Sequence, residues 1–378
     1  MKSSDNSDIR KAKSSRRKFV KLAGASSVAG LAGCGSILGS SGDGQTTPNE
    51  SNPLQVEFFG GVFKEVMDEH LVAPFEEETG IPVETSAGTS ASEPVQLQSA
   101  VQAGEAPIDL VVATPVNRIR GQDLGIWHTY DSSNLENSDI VLDDLLPQTD
   151  NGEVVGAGAF GWFATLVSQT NLVDEPLDSW SVFWDSEYES SLALSNDEAA
   201  GIIDVTAEMF FDGRESLQSE EGIVEVLEKV QEIQSQVSLW YDGEAEAQQA
   251  LLDENITASW LFHDVTLVME DNGEPVKSVF PQEGAVQNDG AWVILDSTDY
   301  PEEATQFVDF SLQPEIQQRI SENLFTAPVI EESALDMSDD LYSRVFGPGP
   351  EAAIRPNYDM YLEREEWLSQ KWREMILS

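Results

Sequence analysis

The chain has 378 residues, with 20 lysines and arginines against 69 aspartates and glutamates, a formal net charge of −49. Residues 1–33 hold eight of the bases and two of the acids, so 12 bases face 67 acids beyond them and no basic stripe survives for a nucleic acid. The single cysteine, Cys34, excludes an internal disulfide. Repulsion on that scale destabilises a compact chain at low ionic strength, whereas at about 1 M salt the Debye length is about 3 Å and the repulsion is largely screened. The acids are dispersed through amphipathic segments, which reads as a salt-adapted surface.

In chain order, Arg16 and Arg17 precede a weakly apolar run, Leu22 to Gly33, that ends in Leu31-Ala32-Gly33-Cys34. The run is far shorter than the roughly 20 apolar residues of a membrane-spanning helix. It resembles a twin-arginine export signal (residues 1–33) closed by a lipobox, with Cys34 as the lipid anchor. Residues 34–53 have linker chemistry. Beyond the leader, 345 residues suit two lobes better than one core.

Leu54–Phe59 reads as a strand and Val62–Leu71 as a helix that Pro74 bends or ends; Ile81–Thr85 is a second strand, which makes a crossover unit of a parallel sheet. Gly60-Gly61 at the first strand's carboxyl end admits two readings, a ligand at the backbone or a tight turn. Ser86–Ser90 follows the second strand, and Pro107–Val112 is a third, ending in Ala113-Thr114-Pro115. Three strand ends with small or hydroxyl residues thus share the edge where open α/β sheets bind ligands. Val154–Ser168 reads as strand and a passage between lobes, Trp180–Trp184 as a short aromatic helix, and Ser191–Leu194 as strand. Helices are expected over 199–211, 222–236, 243–253, 301–312, 314–322 and, as one long terminal helix, 358–376; strands over 256–261, 276–280 and 291–295, with 281–290 a second passage.

Several ordered pieces resemble the extracellular solute-binding proteins of ABC importers, in particular the spermidine/putrescine-type group. They include Pro74-Phe75-Glu76-Glu77-Glu78-Thr79-Gly80-Ile81-Pro82-Val83, Ile108–Val112, Asp178–Trp184, Phe280-Pro281-Gln282-Glu283-Gly284 leading to Trp292, and Tyr300–Ala304 with Phe307–Phe310. The resemblance implies an α/β, two-lobe, periplasmic-binding-protein-like fold of type II, with mixed sheets flanked by helices and a hinge between lobes. Lobe 1 is expected over 54–163 and 287–330, lobe 2 over 164–286, and a helical segment, 331–378, across both. It further implies a monomeric, membrane-anchored protein at the extracellular face, without a cofactor, that hands a small solute to ABC permease subunits.

Alignment with that group places Thr114, Asp197, Trp260 and Asp289 at or near ligand positions; with Phe59, Gly60, Gly61 and Trp162 they are the candidate ligand residues, and a polyamine or related organic amine is the implied solute. Trp260 has core burial as its alternative, and Asp197 has helix capping. The chain departs from the group at Gln287-Asn288, where aromatics are usual, at Val116, where tyrosine is usual, and at Ala200, where an acid is expected. A small carboxylate or phosphonate at the glycine-containing helix starts, or ferric ion, stands as the alternative. For an enzyme, the three histidines His70, His128 and His263 show no metal spacing and no nucleophile signature accompanies His263-Asp264.

Overall fold

The structure, a computed structural model, describes residues 47–88, 94–349 and 352–377. Arg16, Arg17 and Cys34 of the export reading, and Thr89 and Ser90 of the second strand end, lie outside the described residues. Among the described residues no helix is long and apolar enough to cross a membrane.

Among the described residues nine strands form one mixed sheet: β1 (Leu54–Phe58), β2 (Val83–Ala87), β3 (Leu110–Ala113), β4 (Ala157–Gln169), β5 (Leu192–Ser195), β6 (Val237–Tyr241), β7 (Ala258–Phe262), β8 (Val276–Val279) and β9 (Val286–Ile294). Their order is β2-β1-β3-β9-β4-β7-β5-β6, with β8 beside β4. β1, β2 and β3 run parallel, as do β5, β6 and β7. The two long strands β4 and β9 pair antiparallel from Ala157–Trp292 to Ala164–Val286 and join the halves. Short parallel strands buried on both faces carry continuous apolar runs, as in Leu110-Val111-Val112-Ala113.

The connecting helices are α1 (Val62–Met67), α2 (Ala73–Thr79), α3 (Pro94–Ala103), α4 (Pro115–Asp123), α5 (Ile202–Phe210), α6 (Glu220–Gln231), α7 (Glu244–Leu252), α8 (His263–Asp271), α9 (Pro301–Ser311), α10 (Pro314–Leu324), α11 (Asp339–Phe346), α12 (Tyr358–Glu363) and α13 (Glu365–Met375). They cover two main cores. One gathers Leu54, Phe58, Phe75, Trp292, Phe307 and Ile330; the other gathers Trp180, Phe183, Ile203, Leu227, Leu261 and Trp372. β4 supplies both, with Ala157 and Phe160 in the first and Ala164 and Leu166 in the second.

Pro74 does not end the first helix. A π turn over Asp68–Val72 shifts the hydrogen-bond register ahead of it, and α2 then carries Pro74 in its first turn, where a missing N–H costs little. The second passage is itself strand: β9 starts at Val286, not 291. The expected helix over 222–236 starts at Glu220, where Ser219 accepts from the Gly222 N–H, and stops at Gln231, leaving Val237–Tyr241 as β6. The terminal helix is broken at Arg364 into α12 and α13. α4, α8 and α11 are additions to the sequence reading.

Candidate ligand-binding site

The carboxyl ends of β1, β3, β5, β6 and β7 converge on the region that β4 and β9 cross, and the sequence places functional groups there residue by residue. Phe59 follows β1 and meets Phe63 at 5.5 Å, Phe160 at 6.2 Å and Trp162 at 6.3 Å between ring centroids. Trp162 in turn meets Phe262 at 6.4 Å, and Phe262 meets Trp260 at 5.3 Å. An aromatic wall therefore runs from the first half of the sheet across β4 to the second. Gly290 lets β9 lie against it: a Cβ there would stand 2.7 Å from Val112 Cγ1 and 3.3 Å from Phe160 Cζ. Gly60 and Gly61 are exposed beside Phe59, and Gly61, at φ 69°, precedes α1.

Acids sit at the same strand ends. Asp264 opens α8 two residues after Phe262; its Oδ1 is sealed from solvent with no partner, and burial pushes its carboxyl up to about 6. Glu244 opens α7 after β6, and burial together with Asp264 raises it to about 7. On β9, burial raises Asp289, against the pull of Arg118 and Arg355. Asn288, the register partner of Trp162, accepts a 2.9 Å hydrogen bond from the Tyr358 hydroxyl.

The other sequence-predicted residues are placed as follows. Thr114 is the N-cap of α4, its Oγ1 accepting from Asn117 N at 3.4 Å. Asp197 accepts from Ala199 N at 2.9 Å and lines a cavity of about 130 Å³ with Val116, Arg120, Ala199, Tyr361 and Ser369. Trp260 is 3% exposed, packs in the second core and leaves its Nε1–H without a partner. A larger cavity of about 740 Å³ is lined by Glu78, His128, Tyr130, Glu302, Asp309 and Phe310, but none of the eight predicted ligand residues touches it. The small cavity lies at the ends of β3 and β5, where an α/β sheet presents its backbone to ligands, and is the better guide to the site.

The sequence reading missed Arg118, Phe262 and Tyr358. Phe262 had a signal, since Trp260 and Phe262 alternate toward one face of a strand. Tyr358 and Tyr361 both turn their hydroxyls inward, Tyr358 donating to Asn288 at 2.9 Å and Tyr361 to Asp204 at 2.6 Å. Burial raises both phenols well above their usual range. No group of three His, Cys, Asp or Glu side chains among the described residues is arranged to hold a metal ion.

With this geometry in place, a family model, "Bacterial extracellular solute-binding protein", matches residues 70–344. The chain belongs to that family. The binding protein has no match among curated proteins. Its solved structural neighbours include a putative extracellular solute-binding protein from Bordetella parapertussis (TM-score 0.72, 16% identity, covering 85% of this chain and 98% of that one). A GABA receptor is similar (TM-score 0.71, 19% identity, covering 85% and 96%), as is the spermidine/putrescine ABC transporter substrate-binding protein PotD from Streptococcus pneumoniae (TM-score 0.67, 17% identity, covering 85% and 99%). The fold is thus the two-domain periplasmic-binding-protein-like one, with a mixed sheet and flanking helices. The family is that of extracellular solute-binding proteins, which implies a small-molecule solute and a place outside the cytoplasm, extracellular or periplasmic.

Proposed function

We propose that this binding protein captures a small organic amine, of the polyamine or related class, in the cleft between its lobes. One observation carries the reading: the wall Phe59–Trp162–Phe262, backed by the buried Trp260, runs past Asp289 within β9 and Asp264 after β7, with Asp197 and Glu244 just past the ends of β5 and β6. Aromatic faces attract ammonium groups and pack on methylene chains, and buried carboxylates supply the counter-charge. Neighbours named for spermidine/putrescine and for GABA support an amine.

In this reading lobe 1 is 54–163 with 287–330, lobe 2 is 164–286, and 331–378 bridges them. The lobes close about β4 and β9 around the solute, and the closed form docks on the permease. A twin-arginine leader with Arg16 and Arg17 exports the chain, and a lipid on Cys34 tethers it as a monomer at the outer membrane face of a salt-adapted cell.

A thermal-shift screen of the full-length protein in molar potassium chloride tests this. Binding to the native state alone stabilises by about 2.7 kcal/mol at a ligand concentration a hundred times Kd. Putrescine, spermidine or γ-aminobutyrate should raise Tm. A rise with phosphonates or ferric citrate and none with amines overturns the reading.

A further inference from the structure

Arg118 occupies the fourth position of α4, directly after β3 and its Thr114 cap. In a chain with 69 acids, partners for an arginine are abundant. Its neighbours find them: Arg120 pairs with Glu365 at 2.8 Å and Arg355 with Asp144. Among the described residues the Arg118 guanidinium makes no hydrogen bond and no ion pair, although it is partly buried and Asp289, Asp359 and Tyr358 act on it electrostatically. Five N–H donors in a rigid fork, partly buried and without a hydrogen-bond or ion-pair partner among the described residues, match a bidentate oxyanion, a carboxylate or a phosphate. Asp289, itself suited to an ammonium, lies on β9 two residues before Ala291, the register partner of Ala113 at the end of β3, and so stands by the start of α4. A guanidinium next to a carboxylate is the complement of an amino-acid head group, and the aromatic wall begins one register position away, at Trp162 opposite Asn288.

We propose that the ligand of this cleft is an amine that also bears a carboxylate, with Arg118 as the carboxylate seat and Asp289 as an ammonium seat. Such a solute is a diamino acid or an ω-amino acid rather than a plain diamine. The proposal rests on the organic-amine reading above and narrows it.

Matched pairs that differ by one carboxylate test it. Isothermal titration of the full-length protein in molar potassium chloride compares ornithine with putrescine and lysine with cadaverine, with succinate as an amine-free probe. At least one amino acid should bind about tenfold to a hundredfold more tightly than its diamine. Arg118→Met should remove that preference in both directions, weakening the amino acid and tightening the diamine as Asp289 loses its counter-charge. Arg118→Lys, which keeps the charge but not the fork, should recover only part of the amino-acid affinity. Melting curves of both variants show whether they fold. A diamine that binds as tightly as its amino acid, or an Arg118→Met loss equal for both, overturns this proposal and leaves the amine reading standing. Binding of succinate alone, lost in Arg118→Met, overturns the amine reading while placing a carboxylate at Arg118. Binding of none of the probes, together with no Tm rise from spermidine or γ-aminobutyrate, overturns both.

Discussion

Trp162 and Trp260 belong to one aromatic wall yet stand in different surroundings. Trp260 is 3% exposed and packed into the second core, whereas Trp162 is half-buried on β4. Trp260→Ala should therefore lower the unfolding free energy by about 3–5 kcal/mol, the range for a buried aromatic truncated in a core. Trp162→Ala should cost less stability but weaken amine binding about threefold to thirtyfold. Chemical denaturation and calorimetry separate the two; equal losses in both assays would place both indoles in the core. A second consequence at this scale concerns Asp204, fully buried on α5, which accepts from Asn357 N at 2.9 Å and from the Tyr361 hydroxyl at 2.6 Å. Burial outweighs these bonds and raises its carboxyl from 3.8 to about 6. Between those values the native state holds a proton that the unfolded chain has released, so its contribution falls as pH rises from about 4 to about 6. His263, pulled down from 6.5 to about 4 by burial, has the opposite slope, but in wild type and variant alike. The stability difference between wild type and Asp204→Asn should therefore shrink by about 2–3 kcal/mol across that window in denaturation at constant salt. A difference that does not change with pH would mean Asp204 stays ionised.

Among the elements, the C-terminal pair α12 and α13 ties the halves together. Ile354, Met360, Tyr361, Leu368, Trp372 and Ile376 are buried in the second core, and Trp372 Nε1 donates to Asn196 O at 3.0 Å beside the β5 end. Toward the other half reach Tyr358 to Asn288, Arg355 to Asp144 and Glu365 to Arg120. These contacts differ in weight. Trp372→Ala should lower stability by about 3–5 kcal/mol. Glu365→Ala, breaking an ion pair whose carboxylate is largely exposed, should cost less than about 1 kcal/mol. Urea unfolding of the two variants checks the ranking, and a mild Trp372→Ala would mean that α13 is not part of the cooperative unit. The break at Arg364 was hidden in the sequence, because the apolar positions of 358–376 keep helical spacing through it. The π turn before Pro74 was hidden too, since composition marks a proline but not the register shift that absorbs it.

For the whole molecule, the excess of carboxylates predicts that Tm rises with potassium chloride and levels off near molar concentration, where the Debye length is about 3 Å. Calorimetric scans from low to molar salt check this, and a salt-independent Tm would remove salt adaptation as the reason for the composition. Much of the fold was legible in the chain because its signals are local: β1 alternates apolar and polar residues between Pro53 and Gly60, β3, β5 and β7 are short, mostly apolar runs, and the ordered family pieces set the two-lobe expectation. Parts of the site were legible in the same way, since Phe59 and Thr114 follow directly on strand ends and Asp197 stands two residues past one. What only the tertiary structure decided depends on which segments meet across the sheet. β9 lies between β3 and β4, and that brings Asp289 within electrostatic reach of Arg118, 171 positions away in the chain, and Asn288 against Tyr358. Whether an indole is wall or core, and whether an arginine is paired or left open, is set by such long-range neighbours. The sequence by itself determined the charge, the periodicities and the strand ends, which need only adjacent residues; burial and pairing of the groups at those ends are properties of contacts that exist only once the chain has closed on itself.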